Sequence, residues 1–189
     1  MTAAEITASA DTFLRAHRFR GAVLLAREGA VLLREGYGFA NEEWTIPNSP
    51  LTKFRIGSIT KMFTAAAVLR LAEAGAINLH SEIGKSVEDL PRAWRSITPH
   101  QLLNHTVGLA DHVAVPAKQT FNLTGATPRE LIMLIANQPL LFEPGTSYCY
   151  SNTGYFLLGM LIEKASNRSY AAYVEEEIFR PYTRNTRNV

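Results

Sequence analysis

Apolar positions give the first picture of this chain. Over residues 5–18, Ile6, Phe13 and Leu14 recur among polar neighbours at helical spacing, which predicts an amphipathic helix. Two short runs rich in valine and leucine follow, Gly21-Ala-Val-Leu-Leu-Ala-Arg27 and Ala30-Val-Leu-Leu-Arg34. Glu28-Gly29 splits them, so they predict a β-hairpin. Pro47 and Pro50 mark residues 41–52 as loop. From Thr60 to Ala74 nearly every position is apolar, Met62, Phe63, Leu69 and Leu71 among them, and a helix apolar all round is a buried one. Gly75 falls where a left-handed residue closes such a helix. Thr98-Pro99 and Thr127-Pro128 each place proline at the first helical position after a capping residue. Glu143-Pro-Gly145 reads as a turn, and residues 153–166 and 169–179 as two further helices, the run Glu175 to Glu177 forming a solvated face.

This order predicts an α+β chain that is lopsided, with one helix and one antiparallel hairpin first and helices thereafter. Its divisions are residues 1–50 (helix and hairpin), 51–181 (helical) and 182–189 (an unpatterned polar tail). A lone hairpin is marginal in water, so its strands need a sheet or a helix to rest on.

Composition narrows the classes. In 189 residues, 47% hydrophobic, the 19 basic and 17 acidic side chains exclude a disordered polar chain and a disulfide-dense peptide. The net charge of +2 is spread along the chain, without the clustered positive face that nucleic acid or an anionic membrane requires. A single cysteine forms no internal disulfide, and Cys149, between Tyr148 and Tyr150, is expected as a small buried hydrophobe. The first residues show neither a basic nor an apolar leader pattern, which predicts a cytoplasmic location, and no run suits a membrane span. Five scattered histidines, with no H-E-x-x-H and no cysteine cluster, predict no metal, and Gly36-Tyr-Gly38 lacks the third glycine of a dinucleotide loop. No cofactor is expected.

Candidate chemistry sits where the loop meets the apolar helix, at Ser58-Ile-Thr-Lys61. Residues three apart on a helix face the same way, so the serine hydroxyl and lysine amine can meet. Serine needs a base, and lysine is one only when neutral, a form that burial and the positive helix end both favour. Roughly 0.26 chance occurrences of S-x-x-K are expected at this composition, so the motif alone is weak. Ser58 as a helix cap with Lys61 in solvent is the ordinary alternative. The second feature is Tyr150-Ser-Asn152. A phenol beside an ammonium can shuttle a proton, and an amide can hold the lysine and a substrate carbonyl. The ordinary alternative is a packed cluster of Tyr148, Tyr150 and Tyr155, with Asn152 capping the next helix. A Ser-His-Asp arrangement using His105 or His112 with Asp111 lacks the G-x-S-x-G elbow.

The segment Phe54-Arg-Ile-Gly-Ser-Ile-Thr-Lys-Met-Phe-Thr-Ala65 resembles the nucleophile region of serine β-lactamases and penicillin-binding proteins. Tyr150-Ser-Asn152 in place of S-D-N is similar to the class C branch and its esterase relatives. Gly36-Tyr-Gly38-Phe-Ala-Asn41, Leu102-Leu-Asn-His-Thr-Val-Gly-Leu109 and Phe142-Glu-Pro-Gly145 extend the resemblance from about residue 10 to 181. It implies a β-lactamase/transpeptidase-like fold and a serine hydrolase acting through an acyl-enzyme on β-lactams, esters or D-alanyl peptides. Ser58 is then the nucleophile, Lys61 and Tyr150 share acid–base work, Asn152 binds lysine and substrate, and the Ser58 N–H is an oxyanion donor. His105 is expected to be structural.

One feature departs from the family pattern. Its third signature, K-T-G or H-x-G, is absent from residues 153–189. The strand that carries it supplies a second oxyanion donor, whose loss typically lowers turnover by about 10²–10³. From the unpatterned end a frameshift or early stop near residue 182 is expected, and the hairpin edge left open by the strands the resemblance implies is expected to self-associate. The alternative function is therefore a catalytically impaired truncated homologue or a non-enzymatic binding scaffold.

Overall fold

A computed structural model describes residues 1–88, 90–114, 125 and 127–183. The chain divides into two compact units at Ile56/Gly57, a few residues later than the turn signals placed the boundary.

The first unit opens with α1 (Ala3–Ala16), which starts at a capping box between Thr2 and Glu5. β1 (Gly21–Arg27) and β2 (Ala30–Tyr37) pair antiparallel from Gly21 opposite Tyr37 to Arg27 opposite Ala30, with a bulge at Leu25/Ala26. Glu28 and Gly29 both take positive φ, as a two-residue hairpin turn requires. Helix α1 is fixed to β2 by polar contacts. The Thr7 hydroxyl donates to the Leu32 carbonyl at 3.1 Å, and the Tyr37 hydroxyl donates to Asp11 at 2.8 Å. The expected loop is not wholly irregular: β3 (Phe39–Asn41) pairs with β4 (Ile46–Pro47). Proline is compatible with so short an edge strand. Gly36 admits this return of the chain, because a Cβ there would collide with the Asn48 backbone.

The second unit is helical, with α2 (Thr60–Glu73), α3 (Pro99–Leu103), α4 (Pro128–Ile135), α5 (Asn152–Ser166) and α6 (Tyr170–Val174). The two Thr-Pro starts are capping boxes, Thr98 with Gln101 and Thr127 with Glu130. Gly75, at φ +76°, ends α2 with its N–H on the Ala72 carbonyl, while the Ala76 N–H reaches Leu71, a Schellman closure. The core gathers Ala67, Val68 and Leu71 of α2, Trp94, Ile97 and Leu102, and Leu157, Leu158, Leu161 and Ile162 of α5.

Four expectations are corrected here. Helix α2 is buried on one face only, since Met62 (66%) and Leu69 (52%) stay exposed. Its pattern is apolar all round, but α5 and α6 cover only part of its circumference. The helix expected over 169–179 lengthens its hydrogen-bond span after Val174: Glu175–Phe179 is a π turn, and Arg180–Thr183 continues as a short helix, α7. Pro181 carries no N–H, and the Arg180 N–H reaches back five residues to the Glu175 carbonyl. The acidic run on this turn is ion-paired, Glu176 with Arg168 at 2.6 Å and Glu177 with Arg168 and Arg70 at 3.1 Å each. Of the expected irregular tail, Tyr182 and Thr183 belong to α7, and residues 184–189 lie outside the described residues.

Candidate active site

The site lies within the second unit, where the start of α2 meets the start of α5. Ser58 occupies a 3₁₀ turn, Gly57–Ile59, that runs into α2. It does not cap that helix: the N-cap is Ile59, in helical conformation and without a side-chain bond. The serine hydroxyl is instead directed at two other groups. Its Oγ lies 2.7 Å from the Tyr150 hydroxyl oxygen and accepts from Lys61 Nζ at 3.2 Å. Lys61 also donates to Asn152 Oδ1 at 2.7 Å, and Tyr150 donates to the same oxygen at 3.4 Å. The four predicted residues therefore form one connected network. Spacing brings Ser58 to Lys61; the fold brings Tyr150 and Asn152 to both across about ninety residues.

Local structure explains the placement of the second pair. Ser151, at the N-cap of α5, accepts from the Gly154 N–H. Tyr150 thus ends the incoming irregular segment, while Asn152 begins the helix. Asn152 is not the cap. His105 holds the segment from behind, its carbonyl accepting from the Cys149 N–H at 3.0 Å and its Nδ1 accepting from the Ser151 N–H at 3.3 Å. The ring packs against Tyr150 and Tyr155 at 4.6 and 5.1 Å between centroids. With Nδ1 an acceptor, the proton sits on Nε2. Burial and the nearby Lys61 charge both push the His105 imidazole below its ordinary pKa, so it stays neutral as the scaffold needs. His105 takes positive φ, and its neighbour Gly108 leaves room for the Phe142 carbonyl. Cys149 is half-buried, more open than expected.

The electrostatics centre on Tyr150. Its hydrogen bonds to Lys61 and Ser58 lower its pKa, outweighing burial and the opposing charge of Asp111. The ammonium lies 4.8 Å from the Tyr150 ring centroid and 5.5 Å from that of Tyr155, over the faces of both. Tyr155 is itself anchored by its hydroxyl on the Leu103 carbonyl. A cavity of about 340 Å³ adjoins Lys61, lined by Thr60, Thr64, Tyr155, Phe156, Met160 and Tyr170 among others.

Two contributors carry no signal of their role in the sequence. Tyr155 looks there like core packing. Asp111 looks like a partner of histidine, yet its Oδ2 accepts from Asn152 Nδ2 at 2.8 Å. Nothing in local spacing links positions 111 and 152. The serine triad alternative has no support in this geometry, since His105 serves Ser151 and His112 bonds Thr153. Among the described residues no group of three potential ligands is placed to hold a metal ion, and no helix is long and apolar enough to cross a membrane.

Comparison with known proteins adds the family. A family model described as beta-lactamase matches residues 6–187. Penicillin-binding protein 4* of Bacillus subtilis (strain 168) is 32% identical over 181 residues, covering 95% of this chain and 40% of that protein. The octameric penicillin-binding protein homologue of Pyrococcus abyssi superposes with a TM-score of 0.75 at 32% identity, over 96% of this chain and 43% of that one. A D-stereospecific amidohydrolase from Streptomyces sp. has a TM-score of 0.63 at 37% identity, over 68% and 42%. The chain thus spans less than half the length of these relatives, and its described part has the β-lactamase/transpeptidase-like fold.

Proposed function

We propose, for a chain that belongs to the beta-lactamase family, that Ser58 is the acylated nucleophile of a serine hydrolase. The observation that carries this reading is the pair of contacts on Ser58 Oγ, 2.7 Å to Tyr150 and 3.2 Å to Lys61. Serine is unreactive until its proton has a place to go, and both contacts offer one. Tyr150 is the nearer acceptor, and its hydrogen bonds to Lys61 and Ser58 hold its pKa below the ordinary phenol value.

In the acylation step, Oγ forms a bond to the substrate carbonyl carbon while its proton passes to the Tyr150 oxygen. The carbonyl electron pair moves onto oxygen, where the Ser58 N–H, in the turn that leads into α2, is the donor this chain supplies. Collapse breaks the bond to the leaving amine or alcohol, which takes the proton back from Tyr150, with Lys61 as its relay. Water then attacks the ester by the same route in reverse. Asn152 fixes the lysine through Oδ1.

The substrates proposed are β-lactams, small esters and D-alanyl peptides. The names of the Bacillus subtilis and Streptomyces relatives, a penicillin-binding protein and a D-stereospecific amidohydrolase, support that range. A second reading is a binding scaffold that acylates slowly or not at all. Incubation with a fluorescent penicillin and with p-nitrophenyl butyrate separates the two. Covalent label or nitrophenol release that vanishes in Ser58→Ala supports the hydrolase; silence in a chain shown by circular dichroism to be folded supports the scaffold. We also propose self-association through the hairpin edge, in keeping with an octameric relative.

A further inference from the structure

The amide of Asn152 has two ends, and each has a partner that admits only one of them. Lysine offers donors and no acceptor, so the atom facing Lys61 Nζ at 2.7 Å must be Oδ1. A carboxylate offers acceptors and no donor, so the atom facing Asp111 Oδ2 at 2.8 Å must be Nδ2. Turning the amide over would set NH₂ against the lysine donors and oxygen against the carboxylate, two repulsions in place of two hydrogen bonds. Asp111 is itself held. Its Oδ1 accepts from the Val113 N–H at 3.0 Å. Thr153, nearly fully buried, ties the same loop to α5, accepting from the His112 N–H at 3.0 Å and donating to the Ala110 carbonyl at 2.9 Å.

We propose that Asp111 is a positioning residue, holding the Asn152 amide in the one orientation that presents its oxygen to Lys61. The inference deepens the functional reading above and rests on it. Asp111 reaches the nucleophile only through Asn152 and Lys61, so its effect travels along a chain of three hydrogen bonds ending at Ser58 Oγ. Among the described residues, the other ionisable groups about it are His112, whose Nδ1 lies 3.9 Å from Asp111 Oδ1, and Lys61 and Tyr150 beyond the amide.

Both Asp111 oxygens receive N–H donors, which makes a specific prediction about the isosteric amide. Asparagine at 111 has one oxygen to offer. If that oxygen keeps the Val113 N–H, its NH₂ meets the NH₂ of Asn152 and drives the latter over. Asp111→Asn is therefore expected to lower the rate of Ser58 acylation by fluorescent penicillin by about tenfold to a hundredfold, the range for losing a hydrogen bond to a charged group. Asp111→Ala, which leaves Asn152 without a partner but imposes no wrong one, is expected to lose no more. In an Asn152→Ala background Asp111→Asn is expected to change the rate by less than about twofold, because the route through the amide is already gone.

Equal losses from Asp111→Asn in the two backgrounds, or a wild-type rate in Asp111→Asn, overturn the proposal. A carboxylate that merely filled space would tolerate asparagine better than alanine, the opposite order. A wild-type chain that does not acylate overturns the functional reading alone. The positioning inference is then read from the Asn152 side-chain ¹⁵NH₂ resonance, which is expected to show slowed exchange in the wild type and to lose it in Asp111→Asn. A resonance unmoved by that substitution contradicts it.

Discussion

Tyr150 carries the sharpest expectation at the residue scale. Its hydroxyl is both the nearer of the two described hydrogen-bond partners of Ser58 Oγ and the one whose pKa is lowered by Lys61 and Ser58. A group with a lowered pKa gives up its proton at lower pH than an ordinary tyrosine. The acylation rate is therefore expected to rise with pH through a midpoint below the usual phenol range. Tyr150→Phe should lower the rate by about 10²–10⁴, the usual contribution of a placed acid–base group, and abolish that rise. A stopped-flow pH profile of both proteins checks this; an unchanged rising limb in Tyr150→Phe would assign it to another group. His105 has a different part. Its bonds to Cys149 and Ser151 hold the segment that carries Tyr150, so its value is positional.

Helix α2 shows at the element scale how one apolar pattern hides two environments. Leu69 and Leu71 stand two positions apart, yet Leu71 is buried against the core and Leu69 is half open. Leu71→Ala is expected to destabilise the chain by about 2–5 kcal/mol. Leu69→Ala should fall within about 0.5 kcal/mol, both read from urea denaturation. Comparable losses at the two sites would mean that the outer face of α2 is covered in solution. The same helix marks what was legible. Its existence, its glycine closure and the approach of Lys61 to Ser58 follow from local spacing, which sequence displays directly. Which face is buried depends on α5 and α6, and no periodicity within residues 60–73 records them. Asp111 was illegible for the same reason, since its partner Asn152 is supplied by the fold. The β3–β4 pairing was masked by Pro47, and the π turn depends on a missing N–H at Pro181, a defect that a helical pattern does not register.

Two units and a partial match define the whole molecule. The family model spans nearly all of this chain, while the chain spans 40–43% of the three relatives compared. Among the described residues, β1 and β2 form a two-stranded sheet with both outer edges unpaired. Leu24 and Val31 of these strands are exposed at 66% and 49%. Unpaired edges with apolar side chains template further pairing. Sedimentation velocity is expected to show associated species at micromolar concentration that Leu24→Lys disperses. A wild-type chain that sediments as a single monomer contradicts this.

Mass spectrometry of the intact chain after incubation with penicillin addresses the central claim, that Ser58 is a nucleophile armed by Lys61 and Tyr150. The expected result is a mass increase equal to one whole penicillin, mapped by proteolysis to the peptide bearing Ser58. The increase should be absent in Ser58→Ala and much slowed in Tyr150→Phe. An adduct that persists in Ser58→Ala, or a folded wild-type chain that gains no mass from penicillin or from an activated ester, would contradict it.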